Sequence, residues 1–246
     1  MDDLRMARIL IGTSGWHYAS WRGPFFPADV RIKDQLSYYA DQFDTTELNG
    51  VFYRTPTPEA VTAWREQTGP DFVFAWKASK FITHWKRLSD RSDNSLELLE
   101  DRISLLRGKA GPILFQLPPQ WPVDQQRLES FFEVLPRRRR YAFEFRNPTW
   151  NTAPVYDLLA KHNAALCIFD LAGVQSPIEV TAEFTYIRLH GPGGKYQGSY
   201  DERTLRAWAK RIQHWGLKAA YVYFDNDQVG YAPKNAARLR EILDGA

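Results

Sequence analysis

Tyr141-Ala142-Phe143-Glu144-Phe145-Arg146-Asn147 alternates apolar and polar side chains along one short run. At the two-residue period of a strand, Phe143 and Phe145 share one face while Glu144 and Arg146 share the other. Tyr186-Ile187-Arg188-Leu189-His190 repeats the pattern, and so does Thr45-Thr46-Glu47-Leu48-Asn49. Charge near the end of one strand after another predicts a polar pocket at the end of a sheet. A buried carboxylate or guanidinium is costly unless it is paired or used. A functional site is therefore the better reading, although the pattern alone names no reaction.

Eight short apolar runs recur, near residues 8–14, 43–48, 72–79, 112–117, 141–146, 165–170, 184–190 and 219–225. Helical signals lie between them. Thr57-Pro58 supplies an N-cap and a first-turn proline ahead of Val61 and Trp64. Leu96, Leu99, Ile103 and Leu106 recur at helical spacing, with Gly108 as the expected C-cap. Asp124 caps a helix carrying Leu128, Phe131 and Phe132; Pro154 begins the next; Asp201 caps another that ends at Gly216; Pro233 is expected to start the last. A short aromatic helix is expected around Asp34 to Ala40, and the link from Cys167 to Phe184 holds little helical signal. Strands alternating with helices predict βαβ units and a parallel sheet. Eight units over this length predict an α/β fold, a single (β/α)8 TIM-type barrel with one irregular unit, as one domain over residues 1–246. The runner-up, an open doubly wound sheet, would carry a glycine-rich phosphate turn after its first strand. Here that turn is Gly12-Thr13-Ser14-Gly15-Trp16-His17, where the bulk of Trp16 argues against a dinucleotide fingerprint.

An aromatic content of 15% and a hydrophobic content of 44% exclude a disordered chain. A net charge of +3 over 246 residues suits a small anionic molecule better than nucleic acid, which selects for a concentrated basic stripe. The single cysteine, Cys167, can form no internal disulfide and sits in an apolar run, as a buried thiol does. No apolar run reaches membrane-spanning length, and the charged start Met1-Asp2-Asp3-Leu4-Arg5 does not read as a secretory signal, so a cytoplasmic location without membrane contact is expected. Oligomeric state is left open.

Active sites of such barrels sit at the C-terminal ends of the strands. Ser14 and Trp16, Glu47 and Asn49, Lys77, Gln116, Glu144 and Arg146, Asp170, Arg188 and His190, and Asp225 and Asn226 fall at those ends. Lys77, Arg146 and Arg188 are expected to hold an anion. Glu144 or Glu47 would move a proton, with His190 assisting. Glu47 with Glu144 also admits a two-carboxylate hydrolytic pair. No cofactor is expected. A divalent metal on His190, Glu47, Glu144 and Asp170 is the alternative, against which Arg188, Arg146 and Lys77 would act by repulsion. The loop Gly191-Pro192-Gly193-Gly194-Lys195-Tyr196-Gln197-Gly198 reads equally as a phosphate cradle capped by Lys195 or as a lid, with Tyr196 and Tyr200 closing over a ligand and Trp85 walling the pocket. Arg137 to Arg140 read as a solvated charge run. The reading is an enzyme acting on a small phosphorylated or carboxylated, sugar-like substrate by acid/base chemistry. Its alternatives are a nucleic-acid-binding barrel, with Lys80, Lys86, Arg87 and Arg91 contacting phosphates, and a ligand-binding protein without turnover.

Ile11-Gly12-Thr13-Ser14-Gly15-Trp16, Glu47-Leu48-Asn49-Gly50-Val51-Phe52-Tyr53 and Phe74-Ala75-Trp76-Lys77-Ala78-Ser79 occur in order with Thr83-His84, Leu114-Phe115-Gln116-Leu117-Pro118-Pro119, Phe143-Glu144-Phe145-Arg146 and Tyr186-Ile187-Arg188-Leu189-His190-Gly191. Together they resemble the YecE-like family, domain of unknown function 72, along nearly the whole chain. The resemblance implies a TIM-type barrel and supplies no activity. Phe224-Asp225-Asn226-Asp227 departs from the Phe-Asn-Asn pattern more usual in that family, which leaves Asn226 as the safer site residue of that strand and Asp225 open.

Overall fold

A computed structural model describes residues 7–89 and 94–245. Along the chain it holds β1 (Arg8–Ser14), α1 (Gln35–Gln42), β2 (Thr45–Leu48), α2 (Pro58–Glu66), β3 (Val73–Lys77), α3 (Ser95–Ser104), β4 (Ala110–Leu117) and α4 (Gln125–Val134). There follow β5 (Tyr141–Phe145), α5 (Ala153–Lys161), β6 (Ala165–Leu171), β7 (Val174–Gln175), β8 (Phe184–Leu189), α6 (Glu202–Trp215), β9 (Ala219–Phe224) and α7 (Tyr231–Asp244). The sheet order is β5-β4-β3-β2-β1-β9-β8-β6-β7, and a further β5–β6 pairing closes eight parallel strands into a TIM-type barrel. The sixth unit is the irregular one. In place of a helix, β6 turns back antiparallel through β7, with Asp170 opposite Gln175.

The cap chemistry explains the helix starts. Thr57 Oγ1 accepts from Ala60 N at 3.3 Å, Asp124 Oδ1 from Arg127 N at 3.0 Å, and Asp201 Oδ1 from Thr204 N at 2.7 Å. Two boundaries differ from expectation. Helix α3 stops at Ser104, and Gly108 lies inside a separate 3-10 turn, Arg107–Lys109, entered through a left-handed Arg107. Helix α7 starts at Tyr231 behind Gly230, so Pro233 sits in the first turn, where its missing N–H has no intrahelical partner to lose.

The chain forms two compact units. One holds the residues up to Thr46, Ile168–Ile178 and those from Glu183 onward; the other holds Glu47–Cys167 and Glu179–Ala182. In the first, Trp21, Phe26, Tyr39 and Phe43 form an aromatic core, and α6 buries Leu205, Trp208 and Ile212. In the second, Phe115 packs on Phe131 and Phe143, while Phe145 stacks on Trp150 at 4.8 Å. Trp76 is buried there, as its alternation with Lys77 predicts. Among the described residues no helix is long and apolar enough to cross a membrane.

Candidate functional site

The first unit gathers its buried charge at the C-terminal ends of β8 and β9. Arg188, the penultimate residue of β8, is 1% exposed. Its Nη1 lies 3.2 Å from His190 Nε2, and its Nη2 lies 3.4 Å from Ser14 Oγ and 3.5 Å from Asp225 Oδ2. The same Asp225 oxygen is 2.9 Å from His190 Nδ1. A guanidinium has only donors to offer. His190 Nε2 must therefore accept from Arg188, which places the ring proton on Nδ1, where it donates to Asp225. A second proton, on Nε2, would point straight at a cation. This arrangement holds His190 as a neutral ring and makes it, with Asp225, a clamp that fixes the guanidinium plane.

Asp170 is half-buried at the end of β6, and its backbone carbonyl accepts from His190 N at 2.8 Å. Burial raises its carboxyl above the ordinary range, opposed by a hydrogen bond from Tyr200. Tyr200 is buried. Its hydroxyl accepts Gly191 N–H at 2.9 Å and bonds Asp170, and burial followed by the Asp170 charge raises that hydroxyl strongly. Tyr200 is thus held in the frame of the site. Tyr196 is the exposed ring of the loop, edge-on to His190 at 5.6 Å, with Lys195 Nζ 5.3 Å above it. Gly191, at φ +111°, starts the loop; a Cβ there would meet Gln197 O at 2.2 Å. Asn226 Nδ2 donates to Gly198 O and to Asn235 Oδ1, each at 2.8 Å, so Asn226 pins the loop to α7. Trp16 is half-buried after β1.

In the second unit, Glu144 is fully buried on β5. Its Oε1 accepts from Arg146 Nε and from Gln116 Nε2, the latter at 2.8 Å from the residue opposite it on β4. Cys167 Sγ lies 3.8 Å from Oε2. Glu47 is fully buried at the end of β2. Lys77 Nζ donates to Asn49 Oδ1 at 3.2 Å and lies 4.4 Å over the Phe52 ring. Beyond β3, the chain makes a π-helical turn, Phe81–Trp85. Burial pushes His84 in that turn down to about 4, with Lys77 and Lys80 adding repulsion. Trp85 points outward, 69% exposed. Lys86 lies 5.4 Å over the Phe81 ring, and Arg91 is outside the described residues. Among the described residues, no three His, Cys, Asp or Glu side chains gather as a metal ion requires.

Sequence reasoning missed Asp227 and Asn235. It ranks Asp225 below Asn226 because the strand departs from the family pattern, yet Asp225 bonds both His190 and Arg188. Asp227 accepts from Trp21 Nε1 at 3.2 Å through Oδ1, while its Oδ2 is buried without a hydrogen-bond partner. Burial first, and the Asp225 charge second, push its carboxyl from 3.8 up to about 8. The folded form holds a proton that the unfolded chain releases near 4, so the stabilisation is complete below that pH and is lost as pH rises to about 8. Asp227→Asn should keep the Trp21 bond and flatten that loss. In thermal melts from pH 4 to 8, the melting temperature of the variant is expected to fall less than that of wild type. Parallel curves would show that Asp227 is not the titrating group.

The family profile described as "Protein of unknown function DUF72" matches residues 10–246. The UPF0759 protein YecE of Escherichia coli (strain K12) is 34% identical over 142 residues, 57% of this chain and 49% of that protein, so the match spans about half of that relative's length. The UPF0759 protein YunF of Bacillus subtilis (strain 168) is 25% identical over 271 residues, covering 96% of this chain and 95% of that protein. The crystal structure of a DUF72 family protein from Thermotoga maritima MSB8 superposes with a TM-score of 0.86 at 24% identity, over 96% of this chain and 99% of that one. Another DUF72 family protein, from Enterococcus faecalis V583, superposes with a TM-score of 0.79 at 18% identity, over 96% and 95% of the two chains. At these identities the two structures show a shared fold.

Proposed function

We propose that this chain, which belongs to the DUF72 family of proteins of unknown function, is an enzyme acting on a small anionic substrate at the C-terminal ends of its strands. The observation that carries this reading is the buried Arg188 guanidinium, held in one plane by Ser14, His190 and Asp225. Purely structural ion pairs rarely justify the desolvation of a full charge. A preorganised guanidinium recognises carboxylate or phosphate in a fixed geometry, and this one needs no reorganisation when the ligand arrives. Lys195 and the exposed Tyr196 ring, on a glycine-rich loop beside His190, are suited to cover a phosphorylated or carboxylated, sugar-like ligand.

Asp170 is the proton-moving group that this unit's chemistry favours. Burial raises its carboxyl above the ordinary carboxylate range, which is the direction that favours a proton-donating role. His190 has both ring nitrogens engaged and acts as a positioning residue for Arg188. Glu144 and Glu47 are the proposed proton carriers of the other unit. There Gln116 and Arg146 orient the Glu144 carboxylate, and Lys77 with Asn49 supplies a fixed positive charge.

The test is a thermal-shift panel of phosphosugars, carboxylated sugars, nucleotides, short oligonucleotides and divalent cations against wild type and Arg188→Lys. A ligand at a hundred times its dissociation constant adds about 2.7 kcal/mol of stability, which a melt detects readily. A small-anion shift that shrinks in Arg188→Lys is expected. Stabilisation by oligonucleotides alone would turn the reading to nucleic-acid binding. With the anion in hand, Asp170→Asn should bind it with little change and lose turnover by about 100-fold or more, the usual share of a general acid/base. Undiminished turnover would remove Asp170 from the chemistry, and binding with no turnover in wild type would leave a ligand-binding protein.

A further inference from the structure

We infer a second ligand site, for a small phosphate monoester with a flat ring, in the cavity at the N-terminal end of β5. The arginine run Arg137 to Arg140 leads into that strand, and the fold divides it. Arg138 and Arg139 both reach Glu100, Arg139 Nη2 at 2.6 Å. Burial opposes the ionised form of that carboxyl, but its bonds to Arg139 and Arg138 hold it down to about 2, so the pairing persists across physiological pH. Arg139 is thereby drawn against the fold, with its side chain 14% exposed, and it lines a cavity of about 380 Å³ together with Arg137 and Lys161. That volume lies within the roughly 300–1,000 Å³ range of small-molecule sites.

Aromatic rings form the rest of the wall. The His162 ring stacks on Phe132 at 4.2 Å and 3°, and Tyr141 stands at the start of β5 with its hydroxyl already committed to Pro136 O at 2.7 Å. His162 Nε2 is buried without a hydrogen-bond partner. Burial and the charge of Lys161 lower the ring's affinity for a proton, so near neutral pH it is uncharged and has an unmet hydrogen bond. A buried polar atom left unpaired costs about 1–3 kcal/mol, which a bound polar group would relieve.

Charge decides the ligand's sign. The lining carries Arg137, Arg139 and Lys161 against one carboxylate, Glu133. Helices α4 and α5 both end here, and each C-terminus adds about half a negative charge. Three cations would be more than these ends require. Glu100 offsets Arg139, and Glu129 approaches Lys161 only at 3.4 Å between two largely exposed groups, a weak pair. Among the described residues, Arg137 makes no ion pair. A phosphate between Arg137 and Lys161 and a flat ring beside Phe132, Tyr141 and His162 satisfy both the charge and the apolar wall.

The test is calorimetric titration of the whole protein with AMP, ribose 5-phosphate and a short single-stranded oligonucleotide. AMP is expected to bind wild type and to bind more tightly than ribose 5-phosphate. The double variant Arg137→Glu/Lys161→Glu alters two exposed side chains, and an unchanged melting temperature without ligand checks its fold; its AMP affinity should fall by tenfold or more, about the worth of one charge-assisted contact. His162→Phe, which removes the unpaired nitrogen but keeps the ring stack, should also weaken AMP. Arg188→Lys should bind AMP as wild type does, which separates this site from the one at β8. Absence of AMP binding, equal affinity in the double variant, ribose 5-phosphate binding as tightly as AMP, or binding of the oligonucleotide alone would each overturn the assignment.

Discussion

Arg188→Ala is expected to lose about 3–5 kcal/mol of folding stability along with small-anion binding, because it removes one partner of a buried charge cluster. Asp225 would keep only the His190 Nδ1–H, at 2.9 Å, and would sit 5% exposed with one fewer cation to balance it. His190 Nε2 would lose its donor at 3.2 Å in a ring that is fully buried. The truncation would also open a cavity where one of the largest fully buried side chains stands. Urea unfolding measures the loss directly. Arg188→Lys separates stability from recognition: it retains a cation and much of the volume but not the planar fork, so it should lose much less stability than alanine and still bind anions poorly. If alanine costs less than about 1 kcal/mol, Asp225 and His190 are not bound up with the guanidinium as the contacts indicate.

Gly12→Ala should be as damaging, for a steric reason. Gly12 lies in β1 opposite Tyr223 of β9, and a Cβ on it would stand 2.1 Å from Thr45 O and 2.8 Å from the Tyr39 hydroxyl. The first of these is a backbone atom that cannot swing aside. The second is a buried phenol that donates to Thr45 O and accepts from Thr13 N, each at 2.9 Å. Adding one methyl group would therefore force a strand apart or break a buried hydrogen-bond chain. The expected cost is about 3 kcal/mol or more, at the upper end of overpacking penalties. Urea denaturation or the yield of soluble protein reports it. A variant as stable as wild type would mean that the two strands pack less closely than these distances indicate.

Much of this was legible in the residues themselves. Short apolar runs marked all eight barrel strands because each must hide one face among helices and the other inside the barrel, and in three of them period-two alternation also marked the charged face. The cap residues Thr57, Asp124 and Asp201 marked helix starts because their side-chain oxygens have local donors to meet. The helix-poor link after Cys167 marked the sixth unit as irregular, and it holds the β6–β7 hairpin. What the sequence concealed depends on tertiary burial. Tyr200 and Trp85 are both aromatic residues in loops and read alike, yet one is 4% exposed in the frame and the other 69% exposed. Asn226 carries amide groups suited to a ligand, but Gly198 and Asn235 take its donors. Asp225 could not be weighed before its distances to His190 and Arg188 were known. The raised carboxyl of Asp227 comes from burial and from its neighbour, neither of which local spacing reveals.

The most direct test of the Arg188 centre is calorimetric titration of wild type and Arg188→Lys with the small anion that gives the largest thermal shift, at low and at raised salt. A buried, oriented guanidinium predicts an affinity at least tenfold weaker in the lysine variant, a difference of about 1.4 kcal/mol, and only modest salt dependence in wild type, since a desolvated charge is poorly screened. Equal affinity in the two proteins, or binding that collapses equally in both at raised salt, would place the anion on exposed charge elsewhere and contradict the assignment of Arg188 as the binding group.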